Sequence, residues 1–233
     1  MVTMVLSAPP ADMASFSCPR GDTPCQFLQE LHDLRQEVDR LKEQVRTDAL
    51  TGLYNFRFFS DILPLEIERA NRSFQPLSLI LLDIDHFKTF NDRWGHELGN
   101  KALIHVAQLI GLTVRKLDYA CRFGGEEFVI LLPNTDLRQA ANVAERLREI
   151  IANTPLQYEQ ELLVMTASLG VDEFRGGHSD DVTNFIARVD AFLYQAKHAG
   201  RNCVKAPVAE EITTATVTPE EKDALLGSFK ADE

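Results

Sequence analysis

Three acidic positions and a few cations carry the chemistry that this chain's side chains could perform. Arg122-Phe123-Gly124-Gly125-Glu126-Glu127-Phe128 places two glycines and two adjacent carboxylates between apolar, strand-like runs. That pattern reads as the tip of a β-hairpin, with Tyr119 to Phe123 pairing with Phe128 to Leu132. Neighbouring carboxylates repel, and ionisation becomes costlier for each unless a cation compensates, so the pattern points to a divalent metal with oxygen ligands. Taken alone, the same four residues also make a solvated polar turn. A second acidic group, Asp83-Ile84-Asp85, follows the apolar run Leu77 to Leu82. Carboxylates at the carboxyl end of a buried strand sit where α/β folds hold ligands, which makes Asp83 the first candidate metal ligand. Late in the chain Lys197 and Arg201 stand four apart, on one face near a helix end that Gly200 would stop. By themselves they read as a cationic end interacting with the helix dipole.

The elements that must position these groups follow from periodicity. Leu77 to Leu82 is a nearly continuous apolar run, as expected of a central strand covered on both faces. Helical patterns run from Phe58 to Arg72, from Lys101 to Arg115, from Leu137 to Ala152 with Asp136 as N-cap, and onward from Asp181. Leu162 to Val171 and Cys203 to Val208 read as strands, and the polar, glycine-containing stretch Asn91 to Asn100 as a loop that could wrap a ligand. Before all of these, Leu31, Val38 and Val45 fall at a positions of a heptad, with Phe27, Leu34 and Leu41 at d. Glu30 with Arg35, and Glu37 with Lys42, would pair g to e′ across a parallel dimer. An amphipathic helix lying on its own domain is the competing reading. About three heptads would be only marginally stable alone, which would let a partner decide whether two domains meet.

Composition limits the function classes. With 233 residues, 45% hydrophobic and 25% charged, the chain has the make-up of a soluble globular protein with one main core. No apolar run is long enough to cross a bilayer, and Met1 to Ala11 lacks a basic n-region and contains Pro9 and Pro10, so a cytoplasmic location without membrane insertion is expected. A net charge of -11 argues against a broad nucleic-acid-binding face but leaves a small anionic ligand open. Cys18, Cys25, Cys121 and Cys203 have no metal-ligand spacing and read as free thiols. The expected organisation is a disordered leader over 1–25, a coiled-coil dimerisation stalk over 26–47, a catalytic domain over 48–206 and an acidic tail over 207–233 with a short helix from Thr218. No sensor domain fits within the first 47 residues, so control is expected from a separate regulatory protein acting on the stalk.

Asp-Ala-Leu-Thr-Gly-Leu-Tyr-Asn from Asp48, Asp-Ile-Asp-His-Phe-Lys from Asp83, Asn-Asp-Arg-Trp-Gly-His from Asn91, Gly-Gly-Glu-Glu-Phe from Gly124, Tyr194-Gln-Ala-Lys197 and Gly200-Arg-Asn202 occur in one order. Over about Asp48 to Ala206 the sequence thereby resembles the GGDEF family of diguanylate cyclases. The resemblance implies an α/β (α+β) palm-like domain with a central antiparallel sheet flanked by helices. It implies condensation of two GTP into cyclic di-GMP and two pyrophosphates, by a homodimer in which each subunit holds one GTP. Asp83, the Ile84 carbonyl, Glu126 and Glu127 match the metal ligands, for Mg2+ with Mn2+ as the alternative, and Glu126 or Glu127 would take the proton of the attacking hydroxyl. Lys88, Lys197 and Arg201 match phosphate contacts, Arg122 is expected to steady transition-state charge, and Phe87, Gly124 and Gly125 complete the nucleotide-binding set.

Asn91 matches the guanine-reading asparagine, but Asn100 stands where the family usually carries aspartate, which weakens the expected grip on guanine. Arg115-Lys116-Leu117-Asp118 has the spacing of the family's inhibitory RxxD motif. Arg115 and Asp118 would bind the product cyclic di-GMP, with Arg146 supplied from a neighbouring domain. The alternative to the enzyme is a cyclic di-GMP receptor without catalysis.

Overall fold

The structure is a computed structural model that describes residues 26–44, 46–175 and 181–207. It divides into two units, one ending at Thr47 and one beginning at Asp48. In the first, α1 (Gln26–Gln44) is a single amphipathic helix. The expected leader and the tail helix from Thr218 lie outside the described residues.

In the second unit, β2 (Leu77–Ile84) is buried along its whole length, as its unbroken apolar sequence demands. It pairs antiparallel with β4 (Glu127–Pro133) on one side and β7 (Ala167–Glu173) on the other. Outside these lie β3 (Tyr119–Gly124), the two-residue β1 (Tyr54–Asn55) and the two-residue β8 (Val204–Lys205), giving the order β1-β3-β4-β2-β7-β8. The outermost pairs, β1 with β3 and β7 with β8, are parallel. A separate hairpin joins β5 (Leu156–Tyr158) to β6 (Glu161–Leu163), so the stretch from Leu162 to Val171 forms two strands in different sheets.

Alternation along β2 sends Ile80, Leu82 and Ile84 to one face and Leu77, Leu79 and Leu81 to the other. The first set packs under α4 (His96–Thr113) and α5 (Leu137–Asn153), and the second under α2 (Phe56–Ser73) and α6 (Val182–His198). Helices therefore cover both faces and leave the ends of the strands for chemistry. Asp136 and Asp181 cap α5 and α6 by accepting from the backbone N–H of Gln139 and Asn184. Among the described residues, no helix is long and apolar enough to cross a membrane.

Two expectations are corrected. The stretch from Asn91 to Asn100 is not a loop: α3 (Phe87–Trp94) runs into α4 through Gly95 alone, whose φ of 80° supplies the corner. Asp92, Arg93, His96, Glu97 and Asn100 are exposed on the eight-residue α3 and the start of α4, and such a polar stretch reads in sequence like loop. Nor do Lys197 and Arg201 share a helix face. The helix ends at His198, and Gly200 (φ 107°), Arg201 (φ 62°) and Asn202 (φ 44°) turn left-handed.

Candidate active site

The hairpin β3–β4 closes on Gly125 and Glu126, with Gly124 opposite Glu127. Gly125 has φ 51°, a backbone value that a glycine meets without strain. The register of β2 against β4 sets Asp83 directly opposite Glu127, so two carboxylates from distant parts of the chain are cross-strand neighbours. The Ile84 N–H points at the Glu126 carbonyl at 3.4 Å, tying the acidic strand end to the turn. From the other side α6 delivers Lys197, whose Nζ donates to Asp83 Oδ2 at 2.7 Å.

Electrostatics follow from this crowding. Burial pushes the Asp83 carboxyl above the usual carboxylate range, Glu126 and Asp85 add to the rise, and Lys197 opposes it. Glu127 is raised by burial and by Asp83, again against Lys197. Among the described residues, no three His, Cys, Asp or Glu side chains converge closely enough to hold a metal as they stand. The donor set nonetheless suits a hard divalent cation, because it offers only carboxylate and carbonyl oxygens and the acids already draw in an ammonium. Asp83, Glu126, Glu127 and the Ile84 carbonyl would hold it.

Arg122 is placed differently from the expectation of a transition-state cation. Its Nε and Nη2 donate to the Gly125 carbonyl at 3.0 and 2.8 Å, and its Nη1 reaches both Asp48 carboxylate oxygens at 3.2 and 3.3 Å. Asp48 also accepts from the Thr51 N–H and hydroxyl. Burial raises its carboxyl, but these bonds and the Arg122 charge outweigh burial and hold it below its ordinary value. Arg122 thus clamps the Gly125 turn to the first residue of the domain, a positioning role that spacing alone did not reveal.

A second subsite lies at the α3–α4 corner. Asn91 and Gly99 meet there so closely that a Cβ on Gly99 would lie 1.9 Å from Asn91 Oδ1. That oxygen is buried and, among the described residues, has no hydrogen-bond donor. An orphan amide oxygen is costly unless a ligand satisfies it, and a guanine edge offers N–H donors. Asn100 lies one residue on, exposed, in the first turns of α4. Phe87 is buried with its ring stacked near Phe90, and the tip of that ring faces the same Asn91–Gly99 corner. Lys88 is exposed in the first turn of α3.

Asp85 was missed as a site-shaping residue. Its Oδ1 accepts from the Ser168 hydroxyl at 2.6 Å, and its Oδ2 from the Thr166 hydroxyl at 2.7 Å and the Asn202 N–H at 3.0 Å. It thereby pins the turn that carries Arg201 to the end of β2. A cleft of about 510 Å3 opens beside the same loop, lined among others by Asp85, Phe90, Arg93 and Val164. It contains none of Asp83, Glu126 and Glu127, so the chemistry belongs to the carboxylate cluster rather than to this cleft.

The RxxD residues form a separate patch where α4 meets β3. The Arg115 N–H donates to Asp118 Oδ2 at 2.7 Å, and Arg146 of the same chain donates to the Thr113 carbonyl at 2.9 Å. Burial raises the Asp118 carboxyl while Arg115 and Arg146 oppose the rise, so both arginines bear on one carboxylate within a single chain.

The sequence profile described as "Diguanylate cyclase, GGDEF domain" matches residues 45–203. The response regulator PleD of Caulobacter vibrioides is 39% identical over 178 residues, which is 76% of this chain and 39% of PleD. The chain thus spans well under half the length of that curated relative. Among solved structures, the GGDEF domain of DgcB from Caulobacter crescentus, in complex with c-di-GMP, aligns with a TM-score of 0.65 at 34% identity, over 69% of this chain and 92% of that one. Diguanylate cyclase SiaD of Pseudomonas aeruginosa, in complex with its activator SiaC, aligns with a TM-score of 0.67 at 38% identity, over 77% of this chain and 67% of that one. With its central, mostly antiparallel sheet, its acidic hairpin opposite Asp83 and this breadth of similarity, the chain belongs to the GGDEF family of diguanylate cyclases.

Proposed function

We propose that this protein condenses two GTP molecules into cyclic di-GMP and two pyrophosphates, as a homodimer in which each subunit holds one GTP. The observation that carries this reading is the register that faces Asp83 with Glu127 and sets Glu126 beside them at an open strand end. A magnesium ion bound there, with manganese as the alternative, would neutralise triphosphate charge and acidify the attacking 3′-hydroxyl. The chain's own groups do the rest. Asn91 satisfies its orphan amide oxygen on the guanine edge, with Asn100 beside it. Lys88, Lys197 and Arg201 hold phosphate oxygens, and Glu126 or Glu127 accepts the hydroxyl proton. Arg122 keeps the Gly125 turn in place while this happens.

One subunit offers one nucleotide, and the attacking hydroxyl belongs to the other, so two copies of the hairpin must face each other. The 26–47 stalk pairs them in a parallel coiled coil, and a separate regulatory protein acts on that stalk. Precedent for a separate activator comes from SiaD, which was solved in complex with SiaC. Product binds at Arg115, Asp118 and Arg146 and holds the two sites apart.

The test is incubation of the purified chain with GTP and magnesium, followed by detection of cyclic di-GMP. Arg115→Ala should leave the initial rate unchanged and relieve inhibition by added product. The departure at Asn100 favours a second reading, a cyclic di-GMP receptor that does not turn over. Absence of product at every protein concentration, in wild type and Arg115→Ala alike, would overturn the enzyme reading, and binding of cyclic di-GMP by the same inactive chain would then support the receptor.

A further inference from the structure

Asp83 is buried, and its carboxylate has two acidic neighbours, Glu126 and Asp85, that make its charge harder to hold. A buried carboxylate persists as an anion only with a partner, and here the partner is the Lys197 ammonium at 2.7 Å. The same ammonium also eases the charge on Glu127, so a single cation serves both carboxylates. That is the electrostatic task a divalent metal would perform at these oxygens. Both cations need Asp83, and two positive charges crowded on one carboxylate face repel. Among the described residues no three His, Cys, Asp or Glu side chains converge into a ligand set, and the cation that Asp83 does meet is Lys197.

We infer that Lys197 is a stand-in cation that keeps the metal site closed in the free protein and leaves Asp83 only when a triphosphate is present to receive it. The inference rests on the nucleotide site proposed above. Lys197 suits this exchange. It projects from the last turn of α6, where backbone carbonyls favour a cation, and its four-carbon stem can swing while the helix stays fixed. The helix itself is held to β7 at Gly170, where an added Cβ would lie 2.3 Å from the Leu193 nitrogen. Metal and nucleotide are therefore linked: metal alone must displace the ammonium into water, whereas metal with a triphosphate moves it onto phosphate oxygens. By reciprocity each ligand strengthens the other, and Lys197 is the carrier of that coupling.

The experiment uses the full chain and Mn2+ as the probe, with binding read by electron paramagnetic resonance and a non-reactive GTP analogue as second ligand. In the wild type, Mn2+ alone should bind weakly and the analogue should tighten it by about 5- to 150-fold, the usual span of such coupling. Lys197→Met should bind Mn2+ alone more tightly than wild type by a comparable factor, lose affinity for the analogue, and show little of the coupling. Lys197→Arg, which keeps a cation, should keep Mn2+ alone weak.

Equal Mn2+ affinity in folded Lys197→Met and wild type would overturn the inference. Should Lys197→Met fail to fold, lysine-selective nitrogen NMR of the wild type decides. At one fixed Mg2+ concentration the Lys197 ammonium signal should hold its position without the analogue and move once the analogue is added; an equal movement without the analogue would overturn the inference. Cyclic di-GMP formation is assayed separately, and its absence bears on the cyclase reading, not on these metal-binding results.

Discussion

Asn91 Oδ1 can wait for a base edge only because position 99 has no side chain: a Cβ there would lie 1.9 Å from the amide oxygen and 3.4 Å from the Phe87 ring. Gly99→Ala should therefore turn the Asn91 amide away while leaving the fold intact, because Asn91 is the end of a short side chain that can rotate. Losing the Asn91 hydrogen bond to the base costs about 0.5–1.5 kcal/mol, or roughly 2- to 12-fold in GTP affinity. Calorimetric titration with the non-reactive analogue measures it, and unchanged affinity would remove Asn91 from the base site. Asn100 offers the opposite experiment. An aspartate at that position accepts two guanine N–H bonds with a full charge, where asparagine accepts through one oxygen. Asn100→Asp should gain about 1.5–3 kcal/mol, read as a lower KM for GTP and a sharper preference over ATP. No change in either quantity would place Asn100 outside the base contact.

Gly170 governs the placement of a whole element. A Cβ there would lie 2.3 Å from the Leu193 nitrogen and 2.4 Å from the Val189 carbonyl, so Gly170→Ala must lift α6 off the sheet and with it Lys197, one turn beyond Leu193. The expected outcome is a melting temperature lower by roughly 3–10 °C, with a loss of turnover that persists at temperatures where the variant is folded. Gly111→Ala is the control, since nothing lies within 4 Å of its Cβ and alanine favours its helix by up to about 1 kcal/mol. If both variants behave alike, close packing at Gly170 does not position Lys197.

What sequence could show at this scale divides along the same line between local and distant signals. The buried strand from Leu77, the hairpin at Gly125, the cap Asp136 and the helix onward from Asp181 were legible because each is written within a few residues. The α3–α4 corner was not, since exposed polar residues on the eight-residue α3 and the first turn of α4 look like loop. The Lys197–Asp83 pair joins residues 114 apart in sequence, and the Asp85 bonds to Thr166, Ser168 and Asn202 cross comparable distances; no local period encodes either. The two-residue β1 falls below any periodic signal, whereas β8 lies within the stretch from Cys203 to Val208 that reads as a strand.

For the whole molecule the proposed homodimer requires something to bring two hairpins together, and α1 offers a surface for it. Leu31, Leu34, Val38 and Leu41 are 40%, 60%, 47% and 49% exposed, a stripe at heptad spacing on a 19-residue helix. An isolated helix of this length is marginal in water, and a parallel partner would cover the stripe while bringing Glu30 opposite Arg35 across the seam. Replacing Leu34 and Leu41 by lysine removes two burials of about 1.5–3 kcal/mol each per chain and sets like charges against each other, more than three heptads can spare. The variant should then be monomeric by sedimentation at micromolar concentration, and its rate per molecule should rise with protein concentration as encounters become limiting, whereas the wild type should reach a plateau. A designed parallel zipper fused before Asp48 should restore the plateau if pairing is the only contribution of the stalk, because the catalytic groups at Asp83, Glu126 and Lys197 are unchanged. Equal rates per molecule at all concentrations, in wild type and variant, would show that the domains meet through another surface and that the exposed stripe serves a different partner.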